Sequence, residues 1–237
     1  VFELAPVGQR GTGTRSLFLY ELILRLCRRF HLCQEFYWYN PSKLPSPIEW
    51  VNKRKIRAKD AVNTVWWLSK TDEPKAHVDR VRVPYSQAMR QLLKDPERYY
   101  KPATRPSEHK IGAAFSLDNG GALPSNLLVI PNSASNDAFQ RISKELGIGR
   151  HPARFPIKLP SFFIEMLTDP GDIVVDFFSG SNTTGRAAEN LGRSWLSFEL
   201  DLEYAAESSI RFSADRDSAQ ILRTITRIKG RGRAVHL

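Results

Sequence analysis

The chain has 237 residues, 41% of them hydrophobic, enough for one large domain or a domain with an insertion and for a sizeable core. A formal net charge of +10 and a pI near 9.8 set up a field that attracts polyanions, nucleic acid ahead of membranes because no basic amphipathic helix stands out. Cys27 and Cys33 form no CxxC or Cys/His ligand pattern and no apolar run matches a bilayer, which argues against zinc, secretion and a membrane span and for a cytoplasmic protein with reduced thiols.

The opening VFELAPVGQRGTG reads as the interior of a longer protein. Between Thr14 and Phe30, Leu19, Leu22, Ile23, Leu26, Cys27 and Phe30 recur at helical spacing, predicting a helix with one buried face and Arg25, Arg28 and Arg29 in water. QEFYWY, Gln34 to Tyr39, reads as a buried strand ending at Asn40-Pro41, and PSKLPSP as loop. KRKIRAK, Lys53 to Lys59, holds five cations in seven positions and leads into a strand candidate, VNTVWWLS, at Val62 to Ser69. Residues 80–150 are less periodic, rich in Pro, Asn and Ser with DNGG at Asp118 to Gly121, and read as an inserted, loop-rich region.

Regularity returns with a helix entered at Pro160 and stopped at Asp169-Pro170. A strand IVVDFF, a short helix closed by Gly192, a strand SWLSFEL and a helix from Leu202 to Phe212 follow; this β-α-β-α order predicts a parallel sheet. After Asp217 the chain reads as a basic tail carrying Arg223, Arg227, Lys229, Arg231 and Arg233.

In a βαβ unit, ligands sit beyond the carboxyl end of the first strand, where small residues let backbone N–H groups approach. Phe178-Ser-Gly-Ser-Asn-Thr-Thr184 is such a turn, and by itself it is equally compatible with a purely structural junction. Glu199 lies 23 positions after Asp176, close to the ~20 residues at which an acid meets ribose hydroxyls, and that spacing favours a cofactor. With Gly180 and Gly185 alone the turn lacks G-x-G-x-x-G, and Asp176 suits an ammonium group better than a pyrophosphate. The combination points to S-adenosylmethionine over NAD, and so away from the rival class, an NAD-dependent oxidoreductase.

From His151 to Phe212 the residues HPARFPIKLPSFFIEMLTDPGDIVVDFFSGSNTTGRAAENLGRSWLSFELDLEYAAESSIRF resemble the cofactor half of the permuted N4-cytosine and N6-adenine DNA methyltransferases of restriction-modification systems. RSLFLYELILRL, FYWYNPSKLPSPIEWV and RAKDAVNTVWWLSKT are similar to segments of the N4-cytosine branch. The resemblance implies an α/β, Rossmann-like S-adenosylmethionine-dependent methyltransferase sheet with an inserted target-recognition region. Residues 1–79 would continue the catalytic half, 80–150 would be the recognition region, 151–213 the cofactor-binding half and 214–237 the basic tail.

Carried onto this chain, the resemblance implies that Asp176, Phe177, Phe178, Gly180, Ser181 and Thr183 line the methionine side of the pocket, with Glu199 on the ribose and Phe155, Pro156 and Leu159 closing the methionine end. Phe155 and Pro156 also fit ordinary packing ahead of a helix. Phe177 replaces a proline and Asn182 a glycine of the family pattern. The catalytic tetrapeptide, Ser/Asp/Asn-Pro-Pro-aromatic, which cups a flipped base, does not occur; Asn40-Pro41-Ser42-Lys43 comes nearest. No catalytic residue is therefore assigned, the chain is expected to be truncated at its N-terminus, and alone it should be inactive.

The implied activity is methyl transfer to the exocyclic amine of a flipped base, N4 of cytosine ahead of N6 of adenine, in double-stranded DNA. A restriction endonuclease cutting the same site is the implied partner, in a prokaryotic or phage cytoplasm. Lys53, Arg54, Lys55, Arg57 and Lys59 are the phosphate-contact candidates, with a solvated turn as the alternative. A non-catalytic DNA-binding remnant would keep this run but bind no cofactor. Trp66 and Trp67 read as core rather than base-stacking residues, and His109 and His151 lack ligand partners, so no metal is expected.

Overall fold

The computed structural model describes residues 1–96, 117–132, 138–148, 154–213 and 215–231. His109, His151 and much of the expected recognition region lie outside the described residues. The chain forms two compact units, Val1–Ala76 with Asn126–Leu237, and His77–Ser125.

In the larger unit, β1 (Phe2–Leu4), β2 (His31–Tyr39), β3 (Val62–Ser69) and β4 (Leu127–Val129) form a sheet of order β1-β3-β2-β4. β3 runs antiparallel to β1 and β2, because the β2–β3 connection contains no crossover helix, whereas β4 lies parallel to β2. β2 begins three residues earlier than QEFYWY and is not buried on both faces. Phe36 and Trp38 point into the core while Tyr37 is exposed, the alternation of a one-sided sheet. On β3, Val65 and Trp66 are buried and Trp67 is half-buried.

The first helix is shorter than its periodicity predicts. α1 spans Phe18–Leu26 and buries no residue fully, and Cys27, expected on a buried face, is exposed. The apolar spacing makes a helix whose stripe, Leu19, Leu22, Ile23 and Leu26, is only half-buried.

Residues 127–148, placed by sequence in the inserted region, belong to the larger unit: β4 extends its sheet, and α3 (Ala138–Glu145) joins its second core. In that core, Phe139 and Ile142 of α3 meet Ala206 of α6 (Leu202–Ser208), Ile210 of the following 3-10 turn, and Ile221, Ile225 and Ile228 of α7 (Ser218–Arg231). The expected basic tail is thus a helix with isoleucines at i, i+4 and i+7, each worth about 1.5–3 kcal/mol when buried. Asp217 starts it: its Oδ1 accepts from Gln220 N at 2.8 Å and Gln220 Oε1 accepts from Asp217 N at 3.0 Å, a reciprocal cap.

α4 (Lys158–Leu167) links the two sheets. Phe162 and Phe163 meet Phe36 of β2 edge to face at 5.9 and 5.2 Å, and Ile164 packs with Ala187 and Ala188 of α5 (Thr183–Asn190). The helix ends at Thr168, in extended conformation before Asp169-Pro170. Arg193 ties that end down, donating to Thr168 Oγ1 at 3.0 Å and Thr168 O at 2.7 Å.

The expected parallel pair is present. β5 (Ile173–Asp176) and β6 (Ser194–Ser197) run parallel from Ile173↔Ser194 to Asp176↔Ser197, and Val174 and Trp195 face the α4–α5 core. Ile173, Val175 and Leu196 are exposed on the opposite face. Among the described residues, no helix is long and apolar enough to cross a membrane.

The smaller unit contains a 3-10 turn at Val78–Val81 and α2 (Gln87–Lys94). Its DNGG segment closes on Val83, which exchanges both backbone hydrogen bonds with Ala122 at 2.9 Å. A side chain at Gly121 would sit 2.8 Å from Val83 O, so only glycine permits that approach.

Candidate functional site

The turn between β5 and α5 is held by its own polar groups. Asp176 Oδ1 accepts from Phe178 N at 3.0 Å, and Asp176 O accepts from Phe198 N at 2.8 Å, joining the ends of β5 and β6. Among the described residues Asp176 Oδ2 has no protein partner. Gly180 (φ 50°) and Asn182 (φ 54°, ψ 44°) take left-handed conformations, which glycine adopts freely and asparagine better than most residues. Asn182 caps α5: its Oδ1 accepts from Gly185 N at 3.0 Å and Ser197 Oγ at 2.8 Å, and it is 1% exposed. A Cβ at Gly185 would lie 2.3 Å from that oxygen, so the cap requires glycine.

Glu199 joins this turn. Its Oε2 accepts from Gly180 N at 2.7 Å and its Oε1 from Asp201 N at 3.0 Å, so one carboxylate spans the loops after β5 and β6. Each oxygen retains a lone pair for a second donor. Asp201 in turn caps α6 through Glu203 N.

Ser181 and Thr183 are buried, their hydroxyls 3.4 Å apart. Phe177 stacks on Phe198 with ring centres 5.5 Å apart and is 67% exposed; Phe178 is 87% exposed. Phe177 therefore projects outward and adds no bulk to the closed turn. Pro156 and Leu159 are buried and Phe155 half-buried at the entry to α4. The structure thus bonds Glu199 to Gly180 and Asp176 to Phe178 within one turn, while Phe155, Pro156 and Leu159 stand at the entry to α4.

Sequence reasoning missed Arg211. Its Nε donates to Ser181 O and its Nη2 to Ser181 Oγ at 3.0 Å, while its guanidinium lies 4.4 Å from the Phe139 ring centre. It anchors the turn from beneath, 30 residues away in sequence, and no local pattern marks it.

The basic connection between β2 and β3 is largely paired internally. Lys53 and Arg54 both reach Glu49 at 3.1 Å, and their hydrogen bonds hold its carboxyl below the usual range. Arg54 also stacks 4.7 Å over Trp50. Arg57 pairs with Asp60 at 3.0 Å, which Arg15 shares, and Lys59 donates to Lys43 O at 3.2 Å. Lys55, in left-handed conformation at φ 55°, has no partner among the described residues. A cleft of about 370 Å³ borders this connection and includes Lys43, Trp50, Arg57 and Asp60. Among the described residues no group of His, Cys, Asp and Glu could hold a metal ion.

A strand ending at Asp176, a glycine turn capped by a buried asparagine and a second strand in parallel register followed two residues later by Glu199 define an α/β protein with a Rossmann-like ligand turn. A family model described as DNA methylase, of the N6/N4 methyltransferase type, matches residues 9–209, and the chain belongs to that family. M.PvuII, a type II methyltransferase of Proteus hauseri, is 57% identical over 214 residues, 90% of this chain and 64% of that protein. M.BglII of Bacillus subtilis is 27% identical over 161 residues, 66% of this chain and 39% of that protein. A solved structure of PvuII DNA methyltransferase (cytosine-N4-specific) is 42% identical, with a TM-score of 0.75 over 96% of this chain and 68% of that one. The chain accordingly spans about two thirds or less of the curated relatives it matches.

Proposed function

We propose that the complete protein is a DNA methyltransferase that uses S-adenosylmethionine to methylate N4 of a cytosine flipped from duplex DNA. The observation that carries this reading is a pair of acids on one turn, Asp176 bonded to Phe178 N and Glu199 to Gly180 N, in a chain 57% identical to M.PvuII. The turn fits the cofactor chemically. Asp176 has a free carboxylate oxygen for the methionine ammonium, Glu199 has acceptor capacity for the ribose hydroxyls, and Gly180 keeps side-chain bulk away from both. Phe178, Ser181 and Thr183 complete the methionine side, with Phe155, Pro156 and Leu159 closing its end and Phe177, stacked outward on Phe198, bordering it.

Bound there, S-adenosylmethionine supplies a methyl group already activated by its sulfonium. This chain's residues bind and orient; polarisation of the target amine falls to the tetrapeptide that the family places before these segments. Duplex DNA would meet the run Lys53, Arg54, Lys55, Arg57 and Lys59 chiefly through Lys55, with the recognition region, residues 80–150, reading bases. A restriction endonuclease of the same specificity is the proposed partner, and a bacterial or phage cytoplasm the proposed location. Transfer to N6 of adenine is the second reading, supported by the family's joint N6/N4 description.

A thermal-shift panel with S-adenosylmethionine, S-adenosylhomocysteine and NAD tests the cofactor: stabilisation by the first two alone is expected, and stabilisation by NAD alone would sink it. Mass spectrometry of DNA from cells expressing the complete coding sequence tests the product, with N4-methylcytosine expected. Methyl groups on adenine alone would replace the first reading by the second.

A further inference from the structure

No basic amphipathic helix stands out in the sequence, yet α7 is one. Over Ser218–Arg231 it holds no acidic residue. Its apolar face, Ile221, Ile225 and Ile228, is spent on the core with Phe139, Ile142, Ala206 and Ile210. Its outward face carries Arg223 and Arg227, one turn apart and about 6 Å along the axis. Arg216, two residues before the helix, folds back over it, its Nη1 donating to Thr224 Oγ1 at 3.4 Å. The three arginines, with Gln220 and Thr224, line a groove of about 320 Å³.

Charge pairing separates this ridge from an ordinary solvated face. Lys229, the one lysine of the helix, is paired with Glu203. Arg216, Arg223 and Arg227 have no ion pair among the described residues, and like charges at i, i+4 cost a helix about 0.2–0.5 kcal/mol. Asp215 and Asp217 flank Arg216 in sequence, and among the described residues neither forms an ion pair with the three arginines, Asp217 Oδ1 accepting instead from Gln220 N. Guanidinium forks in a row without a carboxylate partner match phosphate oxygens, which they bind two bonds at a time. A membrane surface does not fit, because an interfacial helix must insert its apolar face and this one is already buried.

We infer that Arg216, Arg223 and Arg227 form a second phosphate-contact ridge for duplex DNA, distinct from the connection between β2 and β3. The choice of duplex DNA among polyanions rests on the methyltransferase reading. The ridge reads no bases; its contribution is backbone affinity, released with counterions and therefore salt-dependent.

Anisotropy titrations of a labelled duplex against salt test it. Replacing both helix arginines by glutamine, Arg223→Gln with Arg227→Gln, should make the slope of log affinity against log salt shallower by about 2, near 0.9 for each phosphate no longer neutralised. The pair Arg223→Lys and Arg227→Lys should restore most of it. An unchanged slope in the folded glutamine variant, verified by circular dichroism melting, overturns the ridge. So does salt-independent binding by the parent protein, or a substitution effect seen with phosphatidylserine vesicles and not with duplex. S-adenosylhomocysteine titration of the same samples separates the two readings, since a parent protein that binds DNA through the ridge but no cofactor would sink only the methyltransferase pocket.

Discussion

In the turn between β5 and α5, polar side chains bond to backbone groups of neighbouring loops: Asp176 to Phe178 N, Asn182 to Gly185 N, Glu199 to Gly180 N and Asp201 N. In the connection between β2 and β3, cations bond to nearby carboxylates, Lys53 and Arg54 to Glu49 and Arg57 to Asp60. The first kind of closure positions acceptors and leaves capacity on them. The second removes the charge that a phosphate would use. Ligand-binding potential follows what a segment leaves unpaired, not how many polar residues it contains, and by that measure Asp176 and Glu199 in the turn stand out more clearly than the five cations do.

The sharpest way to break this contrast is Asp176→Ala. Its structural cost is one hydrogen bond to Phe178 N, about 1 kcal/mol, whereas S-adenosylhomocysteine affinity should fall by at least about 100-fold, close to 3 kcal/mol. Unchanged calorimetric affinity would remove Asp176 from the site. Gly185→Ala asks whether the turn is rigid. Its Cβ collides with Asn182 Oδ1, and urea unfolding should show a loss of about 1–3 kcal/mol; a loss under about 0.5 kcal/mol would mean the cap yields freely.

Glu199→Gln keeps the shape but exchanges one oxygen for a donor, which cannot accept from both Gly180 N and Asp201 N. Cofactor affinity should weaken by about 1–3 kcal/mol, and no change would take the ribose role from Glu199. The smallest effect belongs to the basic connection. Lys55→Asn, which suits the left-handed backbone, should flatten the salt slope of DNA binding by about 1. Adding Lys53→Ala and Arg54→Ala should add little, because Glu49 already holds both. Equal steps from all three would show that DNA displaces Glu49, and no change would leave the run to solvent.

Much of the second half is legible because its signals are local. The stop at Asp169-Pro170, the strand ending at Asp176, Gly192 (φ 73°) after α5 and β6 with Glu199 two residues beyond its end each need only a few neighbouring residues. α7 does not read as a helix from sequence because its arginines mask a three-isoleucine stripe whose partners, Phe139 and Ile142, lie some eighty residues earlier. In the first sheet β2 and β3 are legible from QEFYWY and VNTVWWLS, whereas β1 and β4 resist for the same reason. β4 is three residues long and is recognisable only through its pairing with Tyr37 to Tyr39.

By itself the sequence determined the parallel β5–β6 pair, the glycine turn between its strands and the family to which the chain belongs. Those depend on backbone preference and on spacings that survive without tertiary context. Tertiary structure alone decided which polar groups stay available: that Glu199 closes on Gly180, that Arg211 supports Ser181 from another element, and that the cations of the β2–β3 connection other than Lys55 find partners while Arg223 and Arg227 of α7 have no ion pair among the described residues. The physical reason is that a charge or acceptor acts through whatever stands within about 3–4 Å of it, and sequence spacing does not set that distance once the chain folds back on itself.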